Sequence, residues 1–111
     1  MSKRSPFYPL REVFIQAEAH ARSKGVERHA LSPDQPFDKQ PICEIARQLG
    51  LGAPLGQAIK KILESQQLSR FPGRAKAELL GAINYIAAAV IVLDEQAVAA
   101  SKVKMHGDIR P

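Results

Sequence analysis

The chain has 111 residues, 45% apolar and 24% charged, which excludes a disordered composition and fits one globular domain spanning 1–111. A net charge of +5 and a sequence pI near 9.7 permit a nucleotide, a nucleic acid or another phosphate-bearing partner without selecting among them. One cysteine excludes an internal disulfide, and His20, His29 and His106 lie too far apart to begin a metal site, so no metal ligands are assigned.

The N-terminal "MSKRSPFYPL" is basic but lacks the apolar core of a secretory signal. Residues 1–9 are expected to be flexible. Leu10, Val13, Phe14, Ala17 and Ala21 then recur at helical spacing, predicting a first helix over about Leu10 to Lys24 with Gly25 as its stop. Residues 26–40, "VERHALSPDQPFDKQ", contain two prolines and no periodicity; they read as an extended connection anchored by Phe37.

A second helix is expected from Pro41 to Gly50, with Ile42, Ile45, Ala46 and Leu49 facing inward and Cys43 a small buried residue. A third, over 54–67, would bury Leu55, Ala58, Ile59, Ile62 and Leu63. The loop "SRFPGR" separates it from a fourth helix beginning near Ala75 and running toward Lys104. There Leu79, Ala82, Ile83, Ile86 and Val90 form a stripe, and Ala87 to Ala89, Ile91 and Val92 carry the apolar surface around it. Such a helix needs neighbours on several sides, so residues 79–93 are expected to be covered in a homodimer or larger homo-oligomer; alanine chosen for helix propensity is the alternative. The longest wholly apolar run, Ile86 to Leu93, falls short of the roughly 20 residues that span a bilayer, so no membrane partner and a soluble, cytoplasmic chain are expected. The tail from about 105 to 111 is expected to fray. No repeat, strand pattern or low-complexity tract is present. The fold class is therefore all-α: a compact bundle of four helices, the last long and strongly apolar.

"EIARQLGLGAPLGQAIKKIL" can be read as a helix-turn-helix, with Gly50 at the turn, Leu51 behind it, and Gln57, Lys60 and Lys61 on the outer face of a recognition helix. Gly56 falls where such a helix usually carries a β-branched residue, and no arginine lies within residues 51–64.

A wider match takes in "PICEIARQLGLG", "LGQAIKKI" and "AELLGAINYI", about residues 40–90. This region resembles a family of small bacteriophage proteins, one branch of which is a nucleotide kinase acting on deoxynucleoside monophosphates without a Walker motif. Leu55, Gly56, Ala58, Ile59, Lys60 and Ile62 fall on that family's first segment, and Leu79, Ala82, Ile83 and Tyr85 on its second. Glu78 takes the place of the family's aspartate, Gln57 of its asparagine, Lys61 of its tyrosine and Asn84 of its tryptophan, while Glu64 reverses an arginine. The resemblance implies a shared scaffold, with Gly56 and Ala58 as close-packing positions against the last helix. The altered positions imply binding without catalysis, so no catalytic residue is assigned.

The candidate contacts to a nucleotide or other phosphate group are Gln57, Lys60 and Lys61 on the third helix, Arg70, Arg74 and Lys76 around the loop, and Glu78 and Tyr85 on the fourth. Lysine and arginine would meet phosphate, Glu78 a ribose hydroxyl or a magnesium-bound water, and Tyr85 a base. The chain needs no cofactor of its own; Mg²⁺ would enter only with a bound nucleotide. The expected function is non-catalytic binding of a nucleotide or another phosphate-bearing partner. A DNA-binding helix-turn-helix over 41–64 and an oligomeric interaction module are the competing readings.

Overall fold

Proline and glycine set most of the boundaries. The computed structural model describes residues 5–29 and 35–105, with side chains for 5–24 and 35–103. The order is α1 (Tyr8–His29), a 3₁₀ turn (Phe37–Lys39), α2 (Pro41–Leu49), α3 (Gly52–Gln67) and α4 (Pro72–Met105). The protein is an all-α bundle of four helices, with no strand among the described residues.

Pro41 opens α2, where its missing N–H is no loss, and Gly50 closes it with φ 94° and ψ 172° while donating its N–H to the Ala46 carbonyl at 2.9 Å. That backbone shape reverses the chain into α3, which begins two residues earlier than expected and holds the buried Pro54 within its first turn. Pro72 likewise starts α4 three residues early, and the Ala75 N–H donates to the Phe71 carbonyl at 3.0 Å.

Three expectations change at α1. It starts at Tyr8, so the end of the 1–9 segment is helical, and the Ser5 hydroxyl accepts the Phe7 N–H at 3.1 Å just ahead of it. It also continues through Gly25 to His29. Glycine stops a helix by turning left-handed, and among the described residues only Gly50 has positive φ. The expected extended connection is thus helical up to His29 and contains the 3₁₀ turn Phe37–Lys39. Residues 30–34 lie outside the described residues, as does the tail from 106 onward; α4 itself runs to Met105.

The larger correction concerns which faces are buried. The core consists of Ala17, Cys43, Ala46, Ala58, Ala82, Ala88, Ala89 and Val92. Ile45 and Leu49 of α2 and Leu55, Ile59, Ile62 and Leu63 of α3 were expected inward and are exposed, Leu49 to 76% and Ile59 to 59%; Leu10, Val13 and Phe14 of the α1 stripe are exposed too. The reason is steric. The helices meet along their alanines, which let backbones approach closely, and each neighbouring face of large aliphatics is turned outward. Periodicity finds an apolar stripe without saying which of two stripes the chain itself covers.

Polar ties reinforce the alanine contacts. Asn84 of α4 donates from Nδ2 to the Ala17 carbonyl of α1 at 3.0 Å. Arg47 of α2 grips Glu95 of α4 with two bonds of 2.8 Å, reaches Glu44 at 3.2 Å, and donates to the Asp38 carbonyl in the 3₁₀ turn at 2.6 Å. Helix α4 is also long and apolar enough to cross a membrane by length and composition, and 28% of its most apolar 18-residue stretch is buried. The eight-residue run read from the sequence is therefore the centre of a longer apolar helix.

Candidate functional site

Lysine in the middle of a helix can bury its stem while its ammonium seeks a charge partner. Lys61 does this on the inward line of α3, one residue before the outward Ile62. Its stem crosses α4 at Gly81, where an added Cβ would stand 2.9 Å from Cδ and 3.1 Å from Cε. Gly81, and not Gly56, is thus the close-approach glycine; a Cβ at Gly56 would meet nothing within 4 Å. Lys61 Nζ donates to Glu78 Oε1 at 3.3 Å, with side-chain exposures of 13% and 28%.

Beside this pair opens a small, half-open cleft of about 80 Å³, too small to enclose a whole drug-sized ligand. Helix α1 contributes His20, Ala21 and Lys24; the segment entering α2 contributes Phe37, Gln40, Pro41 and Ile42; α3 contributes Lys61; and α4 contributes Gly81, Asn84 and Tyr85. Phe37 and Tyr85 supply aromatic faces. Lys24 brings an ammonium to the lining, and Lys61 a second one that is paired with Glu78. Each amide donates one N–H within the chain, Asn84 to the Ala17 carbonyl and Gln40 to the Gln35 carbonyl at 2.9 Å, which leaves its second N–H as a donor and its oxygen as an acceptor. None of the lining residues is a carboxylate.

Of the residues singled out from the sequence, Lys61 and Tyr85 line this cleft, and Glu78 stands behind it as the partner of Lys61. Gln57 and Lys60 are exposed on α3 outside the lining, and Glu64 is half-buried. Arg70, Arg74 and Lys76 are exposed around the α3–α4 loop and do not line the cleft either; the Arg74 guanidinium sits 5.5 Å from the centre of the Phe71 ring. Phe37, expected to anchor its segment, is half-buried in the cleft wall. His20, Lys24, Gln40 and Asn84 are additional lining residues. One of them carried a readable signal: Asn84 interrupts an apolar helix.

The Arg47 cluster is a second polar centre, and it is structural. Its guanidinium holds the Glu95 carboxyl below the ordinary carboxylate range, and Glu44 is lowered first by its bond to Gln48 and then by Arg47. Cys43, buried next to this cluster, has its thiol pushed up chiefly by burial, so it is neutral and inert. Among the described residues no three His, Cys, Asp or Glu side chains gather to hold a metal ion. Comparison with protein-family models, with curated proteins and with solved structures finds no match to this chain.

Proposed function

We propose that the cleft between α1, the 3₁₀ turn, α3 and α4 holds part of a bound nucleotide or other phosphate-bearing partner. The observation that carries this reading is the pairing, in one cleft, of two aromatic rings with two lysines and two amide oxygens. Phe37 and Tyr85 suit the flat face of a base, the Gln40 and Asn84 oxygens suit its N–H groups, and Lys24 and Lys61 suit the phosphate. Binding without turnover fits the lining best. Phosphoryl transfer needs a base and a metal-holding carboxylate set, and Glu78 is engaged by Lys61. The resemblance over residues 40–90 to a phage nucleotide-kinase-like family points toward the same ligand class.

Thermal denaturation with a panel of ribo- and deoxynucleoside monophosphates tests the proposal. At about a hundredfold excess over Kd a ligand stabilises by about 2.7 kcal/mol, a rise in Tm on the order of 10 °C for a chain of this size. Lys61→Ala and Tyr85→Ala are expected to reduce that rise, and Lys60→Ala to leave it. Absence of any shift at millimolar nucleotide overturns the proposal. The duplex-binding reading is weaker, because Gln57 and Lys60 stand among the exposed Leu55, Ile59, Ile62 and Leu63. Failure to bind duplex DNA at about 50 mM salt would remove it.

A further inference from the structure

The outward side of the α3–α4 hairpin follows a pattern of its own. On α4 the residues Leu79, Ile83, Ile86, Val90 and Leu93 succeed one another at spacings of four, three, four and three. That is the 3.5-residue repeat with which one helix lays a seam against another, β-branched residues alternating with Leu or Ile. Leu79, Ile86, Val90 and Leu93 are each exposed to between 44% and 49%, and Ala82 and Ala89 flank the seam with no bulk. On α3 the residues Leu55, Ile59 and Ile62 follow the same spacing and are also exposed.

The two stripes lie on one side of the hairpin. Lys61 marks the line where α3 meets α4, against Glu78 and Gly81. In each helix the stripe lies one residue further along than the contact line: Ile62 after Lys61, and Leu79 after Glu78. One residue is a rotation of about 100°. In two antiparallel right-handed helices that rotation carries both stripes to the same side. Asn84 and Glu95 tie the opposite side of α4 to α1 and α2.

We propose that this face seats a second copy of the chain, with the α4 stripe at the centre of the interface and α3 beside it. The seven exposed aliphatics named above, each 39–59% exposed, leave roughly 600 Å² of aliphatic surface on this face, the greater part of the ~800 Å² that each partner buries in a standard interface. A bilayer fits this face less well. A helix that crosses a bilayer alone meets lipid on every side, whereas α1 to α3 already pack along the other side of α4.

Sedimentation velocity on the full chain tests the proposal. The expected mass is twice 12.2 kDa. Ile86→Glu should weaken association at least tenfold while circular dichroism keeps its helical signal, because Ile86 is exposed in the single chain. An equimolar mixture of Ile86→Glu and Ile86→Lys chains should recover the dimer. Should Ile86→Glu lose its helical signal, Val90→Cys replaces it: oxidation of that variant is expected to give a covalent dimer, the native Cys43 being buried. A wild-type monomer at tens of micromolar overturns the proposal, as does a dimer indifferent to Ile86→Glu. So does a folded Val90→Cys chain that forms no covalent dimer. A monomer that floats with phosphatidylcholine–phosphatidylglycerol vesicles would assign the face to lipid instead.

Discussion

Gly81→Ala isolates the contact on which the cleft depends. Replacing glycine by alanine inside a helix ordinarily stabilises by about 0.8–1.0 kcal/mol. At Gly56, on the open side of α3, nothing opposes that gain. At Gly81 the new Cβ falls 2.9 Å from Lys61 Cδ, closer than carbon atoms pack, so the lysine stem has to shift. The shift draws Nζ away from Glu78 Oε1, which it now meets at 3.3 Å. Losing that largely covered pair costs roughly 0.5–1 kcal/mol, near the upper end for partly exposed pairs. The two effects nearly cancel. Gly56→Ala should therefore raise Tm by roughly 4–8 °C, while Gly81→Ala leaves it within about 3 °C of wild type, at equal protein concentration. In a Lys61→Ala background Gly81→Ala should recover the full gain, a coupling of roughly 0.5–1 kcal/mol in the double-mutant cycle. Equal rises for both glycines, with no coupling to Lys61, would refute the packing argument.

Two further outcomes follow from the backbone and the ion pairs. Gly50 has φ 94° and ψ 172°, a region essentially closed to other residues, so Gly50→Ala should destabilise by roughly 1–3 kcal/mol in chemical denaturation, whereas Gly52→Ala should be close to neutral. Glu95 is held below its ordinary value by Arg47, so its contribution to stability is complete above about pH 4.3 and disappears as pH falls through the lowered value. The stability difference between wild type and Arg47→Met should accordingly be largest near neutrality and shrink in acid; urea titrations across the pH range measure it.

The helix count, the Gly50 turn and the apolar character of the last helix were legible in the sequence because each rests on local chemistry: proline at a helix start, glycine at a reversal, spacing along one face. The extent of α1 was not. Gly25 looks like a stop, yet its backbone stays helical, and nothing local distinguishes it from Gly50. Lys61 was chosen for its charge and assigned to an outer face; the structure turns it inward because Gly81, twenty positions ahead on the opposing helix, leaves room for its stem. Phe37 was visible as an anchor. His20, Lys24 and Gln40 were not, since only packing brings α1 and the turn before α2 to the same opening.

Arg47 gives the molecule a mechanical property as well as stability. One side chain is bolted to the Asp38 carbonyl in the wall that carries Phe37 and to Glu95 near the far end of α4. The 3₁₀ turn cannot swing outward to widen the cleft without pulling on that bolt, and α4 cannot shift at Glu95 without loosening the wall. Two parts of the chain separated by more than fifty residues are thereby geared to move together.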